Sequence, residues 1–168
     1  MRTKIIAGNW KMNKDIHETA TLLADLKARM RDFAGGAQVV VCPPYPALVV
    51  AKTIIGDAKV GLGAQNMSQH DDGAYTGEVS ARMLSAVGCT HVILGHSERR
   101  QYFKETDALV NAKLRKALTS GLTPIVCVGE TLEERESGVT EAIITTQVRG
   151  VLHDLSAEEV GRVVIAYE

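Results

Sequence analysis

An α/β fold built on a parallel sheet is the prediction this chain makes, and two observations carry it. Short apolar, β-branched runs recur at 4–8, 39–42, 59–63, 91–95, 124–128 and 163–167. None shows a clean in-and-out alternation, which implies strands buried on both faces. Stretches of helical periodicity lie between them, so strand and helix alternate with a period of about 30 residues. Such repetition implies right-handed crossovers, hence about six βα units with parallel strands and helices outside.

The elements follow in order. The first run ends in Gly8-Asn9-Trp10-Lys11-Met12-Asn13. Leu22, Leu23, Leu26, Met30 and Phe33 then fall on one helical face. After the third run comes an irregular segment, 64–77, polar and glycine-bearing. A loop of that length in a compact domain is usually functional. The fourth run stops at Gly95-His96-Ser97-Glu98-Arg99-Arg100, where Gly95 allows a turn that a Cβ would obstruct. Ser97 is the expected N-cap of a short helix starting at Glu98. Residues 106–119, rich in Ala, Leu and Lys, read as helix. Thr131 with Glu134, and Ser156 with Glu159, have capping-box spacing. Ile144, Val148, Val151 and Leu152 share a further apolar face. No linker or low-complexity tract interrupts residues 1–168, so one domain is expected. The final run, 163–167, has no helix after it to cover it. Six units cannot close an eight-stranded barrel of about 250 residues. An uncovered apolar strand also exposes a sheet edge, so the natural protein is expected to continue past Glu168.

Bulk properties narrow the function. Apolar residues make up 45% and charged residues 23%, the balance of a globular chain that can bury a core. A net charge of −1 offers no electrostatic case for nucleic acid or an anionic membrane. No run is long enough for a signal peptide or a membrane span. Cys42, Cys89 and Cys127 are isolated and odd in number, which suits buried thiols in a reducing cytoplasm.

Parallel sheets place chemistry where strands end and βα loops begin. Asn9 and Lys11 follow the first strand, Gln65 and Asn66 the third, His96 the fourth and Glu168 the sixth. A histidine at a helix N-terminus sits in positive potential, which favours the neutral ring at pH 7. A cation, a neutral imidazole and a carboxylate are the parts required for proton abstraction beside a carbonyl. Each has a plainer reading taken alone. Loop lysines are mostly solvated, a lone histidine is most often structural, and Glu98-Arg99-Arg100 suits a surface ion-pair cluster. Trp10 suits packing, and Glu168 suits a solvated end. Shared position at strand ends is what makes the set informative. Other chemistries score worse. His91 and His96 lack a helical metal-ligand spacing, while His17, His70 and His153 are scattered. Gly61-Leu62-Gly63-Ala64-Gln65-Asn66 ends in Asn where a dinucleotide fingerprint needs Gly or Ala. No phosphate-loop or nucleophile-elbow motif occurs, so acid–base chemistry with neither metal nor cofactor is expected.

Asn9-Trp10-Lys11-Met12-Asn13, Gly63-Ala64-Gln65-Asn66, Gly73-Ala74-Tyr75-Thr76-Gly77-Glu78, Gly95-His96-Ser97-Glu98-Arg99-Arg100, Cys127-Val128-Gly129-Glu130-Thr131 and Ala166-Tyr167-Glu168 together resemble the triosephosphate isomerase family. The resemblance runs along the whole chain in order. It implies a (β/α)8 barrel of the TIM barrel type, here its N-terminal three-quarters. It also implies interconversion of dihydroxyacetone phosphate and glyceraldehyde 3-phosphate through an enediolate, in glycolysis and gluconeogenesis. Glu168 would be the base, His96 the neutral electrophile and Lys11 the positive charge, with Asn9 also binding substrate. Ser97, Glu98 and Cys127 would support them. The loop 66–79 would enter a second subunit, with Gln65, Thr76, Glu78 and Arg99 at a homodimer contact. The family's phosphate lid and glycine-rich turns would follow Glu168, so the 168-residue chain alone is expected to turn over poorly. The alternative is a catalytically incompetent fragment acting as an assembly or complementation module. A Schiff-base aldolase fits less well, because Lys11 lies in a loop and Lys59 only begins a strand.

The loop expectation is testable. Thr76→Glu is expected to leave a monomer in sedimentation velocity, and a variant that stays dimeric removes the support for loop 66–79 as the contact.

Overall fold

A computed structural model describes residues 3–168. Six strands and eight helices are present among them: β1 (Ile5–Asn9), α1 (Ile16–Met30), β2 (Gln38–Cys42), α2 (Leu48–Ile55), β3 (Val60–Ala64), α3 (Ala81–Val87), β4 (His91–Leu94), α4 (Ser97–Phe103), α5 (Asp107–Thr119), β5 (Thr123–Val128), α6 (Leu132–Glu136), α7 (Thr140–Val151), α8 (Ala157–Gly161) and β6 (Val164–Tyr167). A single 3-10 turn, Tyr45–Ala47, leads into α2. Each strand lies within a residue of its expected position. The chain forms two compact units: residues up to Gln65 with Arg82–Val92, and Asn66–Ala81 with Ile93–Glu168.

In the first unit β1 pairs parallel with β2, Ile5 opposite Gln38 and Asn9 opposite Cys42. β2 pairs with β3, and Gly63 of β3 stands opposite His91 of β4. Helix α1 starts at an Asp15–Glu18 capping box that the sequence reading overlooked. It packs on α2 through Leu23, which is fully buried. Leu22 and Phe33, expected on the same face, are exposed. Leu22 points about 100° away from its neighbour Leu23, and Phe33 lies beyond the helix end at Met30. Burial forces His91 toward the neutral ring, and its Nδ1 lies 2.8 Å from the Thr90 hydroxyl.

In the second unit β5 pairs parallel with β6, Val128 opposite Tyr167. Helix α5, capped by Thr106, packs on β5 and α7 and buries Val110, Lys113, Leu114, Ala117 and Leu118. That is the i, i+3, i+4, i+7, i+8 stripe of a core-facing helix, with one lysine inside it. Both expected capping boxes, Thr131–Glu134 and Ser156–Glu159, are formed. Val151 of α7 is buried on the predicted face.

Two expectations need correction. Burial on both faces holds for most of β2 and for β3, β4 and β5, but not for β1 and β6. Ile6, Ile165 and Tyr167 are 59%, 39% and 57% exposed, so apolar composition alone does not report burial here. The N-cap of α4 is His96 rather than Ser97, and the helix begins one residue earlier than expected. Among the described residues no helix is long and apolar enough to cross a membrane.

Gly95 takes φ +66°, and a Cβ there would lie 3.0 Å from both methyls of Val110. Gly121 has φ +77° with open space around it. Gly121→Ala is therefore expected to cost about 1–2 kcal/mol for left-handed backbone alone. Gly95→Ala adds overpacking of about 1–3 kcal/mol. Equal urea midpoints for the two variants would contradict the packing role of Gly95.

Candidate active site

The strand-end residues group within their own units. In the first, the chain leaves β1 through Asn9, whose Oδ1 accepts from the Lys11 backbone N–H at 3.0 Å. Lys11 has φ +53°, a left-handed conformation costly for a side-chain-bearing residue. Surrounding bonds impose it. Trp10 N–H donates to the Cys42 carbonyl at 3.1 Å, and Asn13 Nδ2 donates to the Trp10 carbonyl at 2.9 Å. Gln65 Nε2 donates to the carbonyls of Lys11 and Cys42, both at 2.8 Å. Gln65, expected at a subunit contact, thus uses its amide protons within its own unit, tying the end of β3 to the loops after β1 and β2.

In the second unit the turn after β4 assembles His96, Ser97, Glu98 and Glu168. The His96 Nδ1 accepts from the Glu98 backbone N–H at 3.3 Å, so the ring itself caps α4. The Glu98 carboxylate lies 3.4 Å from the same nitrogen. The two contacts ask opposite things of Nδ1. The backbone donor is fixed by the helix, whereas the Glu98 side chain is 43% exposed on rotatable bonds, so the backbone contact sets the tautomer. Nδ1 then carries no hydrogen, and the ring proton sits on Nε2. That atom is 2.7 Å from Glu168 Oε1. The other carboxylate oxygen, Oε2, accepts from the Ser97 backbone N–H at 2.8 Å. Ser97 therefore contributes its amide at the helix start, where positive potential favours a carboxylate.

Glu168 is held at its backbone as well, its N–H donating to the Val128 carbonyl at 2.9 Å. A Cβ on Gly129 would overlap the Glu168 carbonyl, so a glycine is required beside it. Gln147 of α7 fixes Gly129 from both sides, accepting from its N–H at 2.8 Å and donating to its carbonyl at 2.9 Å. A backbone hydrogen bond of its own, joined by the Tyr167 hydroxyl donating at 2.8 Å, holds the Glu130 carboxyl below its usual range. Burial, with Glu168 nearby and Arg100 opposing, pushes the Cys127 thiol up to about 12, so Cys127 is no nucleophile at neutral pH. A cavity of about 540 Å³ opens here, lined by Gly95, Ser97, Gly129, Glu130 and Glu168 among others.

A buried charge network stands behind α4. Lys113 and Glu105 are 4% and 2% exposed in their side chains and pair at 2.6 Å. Lys113 also donates to Asn66 Oδ1 at 2.9 Å, and Arg99 Nε donates to Glu105 Oε1 at 2.6 Å. Arg99, expected beside Glu78 at a subunit contact, is thus paired inside its own chain, with its guanidinium over the Phe103 ring at 4.4 Å. Burial pushes the Glu105 carboxyl up, but hydrogen bonds and charge from Lys113 and Arg99 outweigh it, and the net shift is downward. Loop residues 66–79 are closed by Ser68 N–H donating to Val79 carbonyl at 2.8 Å, and His70 stacks on Tyr75 at 4.0 Å. Thr76 and Glu78 are exposed on this loop.

Sequence reasoning missed Gln147, the Arg100 contacts and the Glu105–Lys113 pair. The pair had a signal: Lys113 occupies an apolar position of the α5 stripe. Gln147 had none, since a single amide on an amphipathic helix is unremarked by periodicity.

A parallel βα sheet with a histidine and a carboxylate paired at its strand ends has the arrangement of the barrel enzymes, whose active sites lie at that end of the strands. The comparisons refine this. The model of the family described as triosephosphate isomerase matches residues 4–168. The triosephosphate isomerase of Chloroflexus aurantiacus is 51% identical over the whole chain, which spans 67% of that protein's length. That of Clostridium botulinum is 50% identical with the same coverage. The crystal structure of triosephosphate isomerase from Bartonella henselae superposes with a TM-score of 0.90 at 40% identity, over 99% of this chain and 68% of that one. The chain belongs to the triosephosphate isomerase family, and its fold is that of a partial (β/α)8 barrel.

The buried pair yields a pH prediction. Ionised Glu105 contributes stability that is complete above its ordinary value of 4.5 and lost as pH falls through its lower folded value. Glu105→Gln leaves Lys113 buried without a counter-charge and is expected to cost about 3–5 kcal/mol at pH 7. The acid limb of urea midpoint against pH should flatten in the variant, and an unchanged limb would sink the assignment.

Proposed function

We propose that residues 1–168 are part of one barrel domain that isomerises dihydroxyacetone phosphate to glyceraldehyde 3-phosphate. The observation that carries the reading is the Glu168 carboxylate held between His96 Nε2 at 2.7 Å and the Ser97 N–H at 2.8 Å. A carboxylate kept beside a proton-bearing imidazole nitrogen is a base and an electrophile within one substrate's reach. Glu168 takes a proton from C1 of the ketone, the C–H pair becomes the C1–C2 double bond, and the carbonyl pair moves onto O2. His96 Nε2–H donates to the enediolate oxygens, and Lys11 opposes the negative charge there and on the phosphate. His96 Nε2–H passes its proton to O2 and takes the O1 proton in return, Glu168 gives its proton to C2, and the O1–H pair becomes the aldehyde C=O, which leaves the enzyme unchanged. Asn9 holds the Lys11 loop through its backbone N–H, and Glu98 and Cys127 support the His96 turn and the end of β5.

Membership of the family supports the substrate, and the three buried cysteines, none in a disulfide, suit a reducing cytoplasm. The exposed tip at Thr76, on a loop closed at its base, suits a homodimer contact through 66–79.

The deciding experiment is isomerisation of glyceraldehyde 3-phosphate by the purified chain against an identically prepared His96→Gln control. Weak turnover above the control is expected, and equality with it overturns the reading in favour of the alternative, a catalytically incompetent fragment serving in assembly or complementation. Glu168→Asp withdraws the carboxylate by about 1 Å and should reduce kcat on the order of a hundredfold.

A further inference from the structure

Arg100 is used by none of the chemistry above, yet its guanidinium meets three acceptors. Nε donates to the Gly95 carbonyl at 2.8 Å, Nη2 to the Cys127 carbonyl at 3.3 Å, and Nη1 to Asp107 Oδ1 at 2.6 Å. Gly95 immediately precedes His96. Cys127 immediately precedes Val128, whose carbonyl receives the Glu168 N–H. Each backbone group that Arg100 grips is therefore one or two links from a member of the His96–Glu168 pair. These carbonyls lie where β4 turns away and where β5 ends. A planar fork with donors in fixed directions can hold two such carbonyls at a set separation, whereas an ammonium cannot.

Asp107 opens α5, and its side chain and that of Arg100 are 26% and 17% exposed. Room for Asp107 is made by Gly150 of α7, where a Cβ would stand 2.8 Å from the Asp107 Cβ. The helix behind the sheet is thus cut away at the point where the arginine's counter-ion sits.

We propose that Arg100, aimed by Asp107, is a positioning residue that sets the separation of the His96 ring from the Glu168 carboxylate. The proposal rests on the isomerase function above. An error of about 1 Å in such a pair costs on the order of a hundredfold in rate without a matching loss of substrate binding.

The test combines kinetics with ¹⁵N NMR of the His96 ring. Arg100→Lys keeps the charge and loses the fork, Asp107→Asn loses only the counter-charge, and Gly150→Ala displaces Asp107 without touching any reacting group. Arg100→Lys is expected to lower kcat about ten- to hundredfold with KM within about twofold, and to move the His96 ring signals. Gly150→Ala and Asp107→Asn should give the same effect more weakly, and the Arg100→Lys/Asp107→Asn double variant should be no worse than Arg100→Lys. An Arg100→Lys kcat within twofold of the parent, full additivity in the double variant, or unmoved His96 signals overturns the proposal. If the parent does not exceed the His96→Gln control, the isomerase reading fails, and the ring signals alone decide the positioning role. If Arg100→Lys does not fold, Gly150→Ala and Asp107→Asn decide it by the same criteria.

Discussion

The turn between β4 and α4 is the constraint on which the second unit's chemistry depends. Gly95 follows the strand at φ +66°, and the next residue caps the helix with its own ring. Because the cap uses Nδ1, the opposite nitrogen is left to face Glu168 with its hydrogen. Because the helix starts at Ser97, that residue's amide is left unpaired by the helix and turns to the same carboxylate. One backbone reversal thus aligns a ring proton and an amide proton on the two oxygens of Glu168. Local backbone geometry, more than any long-range attraction, creates the pair.

Charge is buried behind that turn. Glu105 and Lys113 are nearly inaccessible, and an ion pair so placed is held together by geometry and by the further bonds from Arg99 and Asn66. Replacing such a network with apolar groups is often neutral for stability, so its contribution is better sought in the positions it fixes than in net stability. Arg99 of α4 and Lys113 of α5 both donate to the Glu105 carboxylate, and Asn66 beyond β3 accepts from the same lysine. The first unit does the comparable work with neutral groups: Gln65 pins the carbonyl of Lys11, and the left-handed backbone at Lys11 is maintained by its neighbours.

Legibility from sequence followed the range of the forces involved. Capping boxes at Thr131 and Ser156 were readable because their partners are three residues apart. The inner strands were readable because burial on both faces leaves continuous apolar runs. β1 and β6 are also apolar runs, yet β1 is exposed through its middle and β6 along one face, and composition cannot separate these cases from burial. The Ser97 cap was a reasonable reading of residue type, but the imidazole of His96 satisfied the helix first. His96 and Glu168 stood out because motif and strand end coincide. Their supports did not: Gln147 lies 18 residues from Gly129, and Arg100 reaches 27 residues to Cys127, distances over which a single sequence carries no pairing signal.

The burial of the three cysteines gives the protein built-in clocks. Cys42 at the end of β2, Cys89 before β4 and Cys127 within β5 are all shielded, and burial lifts Cys89 to about 11 and Cys127 to about 12. A thiol in that condition reacts with an alkylating reagent only while the structure around it is open. Labelling rates at the three positions therefore read out local breathing of the sheet, strand by strand, with no probe added to the chain.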